Sequence, residues 1–195
     1  MRAVVLLLLL LSSWPAAAKD DVAATVRRFS DTLVAAMKGG AAMGYQGRFD
    51  LLAPVVDDTF ALPAMARLAL GPAARQMTPE QAQRLTEAFR QWTVATYASE
   101  FKSWDGERIE VGPPRPSADA LVIPTRIVPR RGEATRIDYV MREVDGRWRT
   151  VDLLLQGSVS QLAVRRSEFV SVVRRQGFDG LVELLRQRSA ALAAR

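Results

Sequence analysis

The side chains best suited to acid–base chemistry in this sequence are carboxylates, because histidine and cysteine are both absent. With no imidazole to accept a serine proton, a Ser-His-Asp arrangement is excluded. A cysteine nucleophile cannot exist, and two common zinc-ligand types are missing. Carboxylates do cluster, at Asp20-Asp21 and Asp57-Asp58. Glycoside hydrolysis needs two that face each other, whereas neighbours on a helix of 3.6 residues per turn diverge by about 100°. Asp57-Asp58 therefore reads as a cap for a helix opening at Phe60. No GxxxxGK[ST] or GxGxxG follows a strand pattern, so nucleotide binding has no support. Gly39-Gly40 and Gly44 follow a helical pattern and suit a flexible connection. An all-carboxylate metal site is chemically allowed, but nothing points to one; neither metal nor cofactor is expected.

The composition narrows the setting. Arg2, the apolar run Val4 to Leu11 and Ala16-Ala17-Ala18 form a positive start, a short apolar core and a small-residue cleavage site. This is the pattern of a secretory leader over residues 1–18, too short to span a bilayer, which takes about 20 apolar residues. The remainder, 19–195, has the length of one domain. A periplasmic location, and a monomer, are expected. The net charge of +6 is arginine-driven and suits an anionic surface or acidic partner, or merely solvated faces. Export argues against nucleic acid as a partner.

The elements follow from periodicity. Val22, Val26, Phe29, Leu33 and Met37 mark an amphipathic helix, ended by Gly39-Gly40. Phe49–Val56 and Phe60–Leu70 read as short helices. Thr78-Pro79-Glu80-Gln81 opens the longest one with a capping box and a proline in its first turn. After Trp104 the period changes to two. Strands are predicted from Ile109, over Leu121–Val128, Thr135–Val144 and Arg147–Leu155, with Asp145-Gly146 as a hairpin turn. Pro124 and Pro129 predict an edge or bulged second strand. Helices over Ser160–Arg175 and Phe178–Ala194 finish the chain. This segregation predicts an α+β fold: a curved antiparallel four-stranded sheet packed against N- and C-terminal helices.

What this fold could hold is apolar. Ile137, Tyr139 and Met141 share one strand face; Val151, Leu153 and Leu155 share another. Helix stripes carry Phe60, Leu62, Met65 and Leu68, and then Phe89 and Trp92. Mixed Met, Phe and Leu walls suit acyl chains, which need adaptable surroundings rather than directional partners. A two-tailed lipid buries roughly 30 methylenes, which at about 0.8 kcal/mol each supplies more than ~20 kcal/mol. The candidate lipid-binding residues are Phe60, Met65, Leu68, Phe89, Trp92, Tyr139, Met141, Val151, Leu153, Leu155, Val159 and Phe169. No catalytic residue is assigned.

Several stretches also resemble a known family. They are Arg48-Phe49-x-x-Leu52-x-Pro54, Phe60-x-Leu62-x-x-Met65-Ala66 running to Leu70-Gly71, and Gln81 with Phe89 and Tyr97. They continue with Trp148-x-x-x-Asp152, Gln156-Gly157-Ser158-Val159-Ser160, Arg166-Ser167-Glu168-Phe169 and Gln176-Gly177-Phe178-Asp179-Gly180-Leu181. In order and spacing these are similar to the MlaC family of periplasmic phospholipid-binding proteins, also known as toluene-tolerance auxiliary components, from about Val22 to Leu185. The sequence departs from the family pattern at Pro72-Ala73-Ala74-Arg75 and at Phe60-Ala61, and its Arg48–Leu70 segment looks closer to a branch associated with hopanoid biosynthesis. The resemblance implies a carrier with a pocket between sheet and helices for the tails of a phospholipid or hopanoid-type lipid. Its implied partners are an inner-membrane ABC permease complex and an outer-membrane lipoprotein complex, a system that maintains outer-membrane lipid asymmetry, with no enzymatic activity. Two rivals remain. One is a cone-shaped α+β isomerase-like enzyme on a steroid or polyprenoid ligand, with Asp138 or Asp152 as base; the alternation sets both opposite the apolar face. The other is a non-binding adaptor of a permease.

Overall fold

A computed structural model describes residues 16–194 of the chain, with side chains from residue 22 onward. The segment expected to be a leader, residues 1–18, lies outside the described side chains. No described helix is long and apolar enough to cross a membrane.

Helix α1 (Ala16–Thr59) buries the predicted stripe completely: Val22, Val26 and Phe29 are inaccessible and Leu33 and Met37 nearly so. It is not straight. Gly40 and Gly44 have non-helical backbone angles, so the Phe49–Val56 segment continues α1 beyond a break rather than standing alone. Arg48 holds that break. Its Nε donates to the Ala98 carbonyl and its Nη1 to the Gly40 carbonyl, each at 2.8 Å, and it is buried. Carbonyls near helix C-termini carry the negative end of the helix dipole, so the buried guanidinium clamps two such ends together.

Helix α2 (Leu62–Leu70) has Pro63 in its first turn and passes at Gly71 into a 3-10 turn, Gly71–Gln76. Helix α3 (Pro79–Glu100) starts with the predicted capping box: Gln81 N–H donates to Thr78 Oγ1, and the Thr78 N–H donates to Gln81 Oε1 at 2.9 Å. Helix α4 (Gln161–Ala193) breaks at Gly177. Glu168 and Arg188 form an ion pair across that break. In a straight helix, 20 residues at 1.5 Å each would hold them about 30 Å apart, so the two halves fold back on one another.

The sheet has six strands where four are predicted. They are β1 (Arg108–Val111), β2 (Arg115–Ser117), β3 (Ala120–Val128), β4 (Thr135–Val144), β5 (Arg147–Leu155) and β6 (Val159–Ser160). The order is β1-β3-β4-β5-β6, with β2 also pairing β3, and every pairing is antiparallel. Three expectations are corrected. First, β3 is not an edge. Pro124 is tolerated because its carbonyl, and so its missing donor, faces the break between β1 and β2, where Gly112 N–H donates to Pro124 O at 2.8 Å.

Second, the register slips between Val140 and Met141, placing Met141 opposite Thr150 and Val140 opposite Asp152. Val151 is the extra residue of this bulge. The extra residue shifts the pairing by one, so Thr150, opposite Met141, joins the Tyr139–Met141–Leu153 face, and both Thr150 and Val151 are buried. Thr150 Oγ1 lies 3.1 Å from Met141 Sδ, which fits that assignment. Third, Asp57 and Asp58 cap nothing, since α1 runs through them. Asp57 accepts from Arg90 Nε and Nη2, each at 2.6 Å, and Asp58 pairs with Arg28 and Arg147. They tie α1 to α3 and β5.

Candidate lipid-binding cleft

The cleft begins with how Phe60 is held. Between α1 and α2 the chain docks on β5: Phe60 bridges Thr150, and Ala61 N–H donates to the Thr150 carbonyl at 2.9 Å. This fixes the Phe60 ring in an aromatic cluster, 5.1 Å edge-on from Phe29 and 5.9 Å from Tyr97. Phe29 also meets Tyr97 at 5.0 Å and Tyr139 at 6.2 Å. Burial pushes the Tyr97 phenol well above its ordinary pKa, helped by the Tyr139 phenol and Glu100, and burial likewise pushes Tyr139 up. Both phenols stay neutral at physiological pH and present an uncharged base to whatever lies over them.

Above that base lies a cleft of about 150 Å³. Helix α3 forms one wall with Phe89, Trp92, Thr93, Thr96 and Tyr97. Those positions follow steps of three and four and therefore share one helical face. Met65 of α2, Leu153 of β5 and the first turns of α4, through Gln161, Leu162 and Arg165, complete it. Phe169 lies one turn further along α4, buried against Trp92 with ring centres 6.1 Å apart. The lining surface is overwhelmingly apolar. Its few polar groups are largely occupied: Thr93 and Thr96 donate to the Phe89 and Trp92 carbonyls of their own helix, and Gln161 donates to Val159 O.

The start of α4 is anchored by Asp152. This carboxylate accepts from Ser160 Oγ at 2.5 Å, from Leu153 N–H at 2.7 Å and from Leu162 N–H at 3.3 Å. Ser160 in turn caps the helix by accepting from Ala163 N–H at 3.0 Å. The turn before it is clamped by Arg136, which chelates the buried Asp138 at 2.8 and 2.5 Å and lies over Gly157. A Cβ at Gly157 would sit 2.7 Å from the Arg136 guanidinium carbon, at a positive φ of 77°. The positive φ favours glycine there, and a larger residue would push the end of the Arg136 side chain aside.

The candidate residues separate into three groups. Phe60, Met65, Phe89, Trp92 and Leu153 line the cleft. Tyr139, Met141 and Phe169 are buried around it and support its lining residues. The remaining four do not line it. Val151, the extra residue of the bulge, is buried but is not among the lining residues, while Leu68, Leu155 and Val159 are exposed on the surface. Sequence reasoning left out Thr93, Thr96, Tyr97, Gln161, Leu162 and Arg165 as site residues. The α3 trio lies on the same helical face as Phe89 and Trp92, so extending that face would have found them. Arg165 carries no apolar signal. Asp138 and Asp152 are both absent from the lining.

Comparison with known proteins places this geometry. A solved structure of a phospholipid-binding protein from Ralstonia solanacearum, in complex with a phospholipid, superposes with a TM-score of 0.75 at 26% identity. The match covers 89% of this chain and 99% of that one. The family model for the MlaC protein matches residues 27–187, which span α1 to the second half of α4. The chain belongs to the MlaC family.

Proposed function

We propose that this protein is a periplasmic lipid carrier that buries phospholipid tails in the cleft between α3, α4 and β5. The observation that carries the reading is an apolar cleft over a neutral aromatic base, in a fold shared with a protein solved with a phospholipid bound. Phe60, Met65, Phe89, Trp92 and Leu153 contact the tails directly, backed by Tyr139, Met141 and Phe169. No catalytic group is required, because the driving force is burial of hydrocarbon. A cavity of about 150 Å³ accommodates a solute of roughly benzene size, far less than two acyl chains. Loading therefore requires the cleft to widen. The Gly71–Thr78 and Gln156–Ser160 segments, at the ends of α2 and β5, are the hinges of that movement. The carrier would pass lipid between an outer-membrane lipoprotein complex and an inner-membrane ABC permease complex after its leader is removed.

The isomerase reading is weakened by where the carboxylates stand, with Asp138 chelated by Arg136 and Asp152 holding α4. Native mass spectrometry of protein purified from the periplasm tests the carrier reading. A phospholipid should co-purify; a hopanoid would reassign the lipid class. Persistent emptiness after incubation with liposomes would leave the adaptor reading in its place.

A further inference from the structure

We propose that Arg165 recognises the lipid phosphate at the mouth of the cleft and makes the protein select phosphate-bearing two-tailed lipids over neutral lipids with the same tails. This rests on the carrier reading above.

Arg165 is the one cationic residue among those lining the cleft. Its guanidinium carbon lies 5.2 Å from the centre of the Trp92 ring. The ring's quadrupole attracts the guanidinium, and among the described residues no hydrogen bond engages its N–H donors, whose fork geometry matches phosphate oxygens. Nearby arginines are committed elsewhere. Arg166 donates to the Leu68 carbonyl at 3.0 Å and lies against Gly71. Arg188 grips the Glu168 carboxylate with two nitrogens.

Glu168, three residues after Arg165, is the acid that could have neutralised it. Its carboxyl is held below the usual range first by the Arg188 hydrogen bonds, with Arg165 contributing least. Among the described residues no carboxylate lies within ion-pairing distance of Arg165; the Glu168 pair belongs to Arg188.

The Thr93 and Thr96 hydroxyls and one of the two Gln161 amide N–H groups already donate to backbone carbonyls, so Arg165 is the charged donor of the mouth. A cation with no carboxylate in ion-pairing range, half-buried on an apolar wall, gains free energy when an anion meets it in charge-assisted contact. A phosphodiester joined to tails lying in the cleft below is the anion this geometry fits. A neutral lipid with identical tails would fill the cleft and leave the charge unanswered.

The test loads the full exported protein from vesicles containing equal amounts of dioleoylphosphatidylglycerol and dioleoylglycerol, and reads occupancy by native mass spectrometry. The wild type should favour the phosphate-bearing lipid about tenfold, equivalent to ~1.4 kcal/mol. Arg165→Gln should bring the ratio to within about twofold of parity while total occupancy persists, a loss in keeping with one charge-assisted contact. Arg166→Gln should keep the wild-type ratio. Arg165→Lys, which retains the charge without the fork, should give an intermediate ratio and decides the matter should the glutamine variant not fold. Excess inorganic phosphate should leave the wild-type ratio unaltered; a collapse would assign the arginine to free phosphate and overturn the proposal. Equal loading of both lipids by the wild type, or an unchanged preference in Arg165→Gln, would also overturn it. If the wild type takes up neither lipid, the carrier reading fails and this proposal with it.

Discussion

Replacing Asp152 by alanine should loosen α4 at its cleft end, and the size of the effect can be worked from its contacts. The side chain accepts three hydrogen bonds, of which the one from Ser160 Oγ at 2.5 Å is the strongest. A hydrogen bond to a charged group contributes about 1.5–3 kcal/mol, and a negative charge at a helix N-terminus roughly 0.3–1 kcal/mol more. Asp152 is half-buried, so water recovers part of this, leaving ~2–3 kcal/mol for Asp152→Ala. For a chain of this length each kcal/mol moves Tm by about 2–4 °C, which gives a drop of ~4–12 °C in a thermal melt followed by circular dichroism. Asp152→Asn keeps one acceptor oxygen and should cost about half as much. Because Leu162 and Arg165 ride on the same two turns, lipid bound to the alanine variant should also exchange faster with vesicles. A melt within ~1 °C of wild type would refute the assignment of Asp152 as the anchor of α4.

Arg48→Met should destabilise the protein by ~3 kcal/mol in denaturant unfolding, since it leaves the buried Ala98 and part-buried Gly40 carbonyls without a donor; a change below ~1 kcal/mol would show that the clamp is dispensable. The Glu168–Arg188 pair predicts a pH dependence. The folded-state Glu168 carboxyl is lowered, so its contribution is complete above the unfolded carboxylate value of about 4.3 and is lost as pH falls through the folded value. Glu168→Gln should flatten that part of the acid stability profile, and an unaltered slope would contradict the pairing. Leu153→Arg should leave the protein folded but empty after export, because a charged side chain would occupy the cleft in place of a tail; normal lipid stoichiometry in the folded variant would remove Leu153 from the lining.

How much of this was legible in the sequence depended on how local the cause was. The capping box at Thr78 and Gln81 was readable because its two partners are three residues apart, and the Asp145-Gly146 turn because both residues tolerate the positive φ they adopt. The aromatic stripe on α3 was readable as periodicity. The bulge at Val140/Met141 was not, because no glycine or proline marks it, and it moved Thr150 onto the apolar face opposite the one assigned to it. β2 and β6 span only three and two residues, too short to show alternation. Asp57 and Asp58 looked like caps because their partners, Arg90, Arg28 and Arg147, lie at least 30 positions away. Arg165 was hidden for the opposite reason: a polar residue in an apolar wall is noise to a periodicity argument, and only the Trp92 ring above which it lies gives it meaning.

The claim that matters most is that hydrocarbon lies between α3, α4 and β5. A phospholipid bearing a photoactivatable group at the end of one tail, loaded into the exported protein and irradiated, tests it by mapping where the label attaches. Labelled peptides should contain Phe60–Met65, Phe89–Tyr97 and Leu153–Arg165, the segments that line the cleft. Labels confined to the outer surface, around Leu68, Leu155 and Val159, would contradict it.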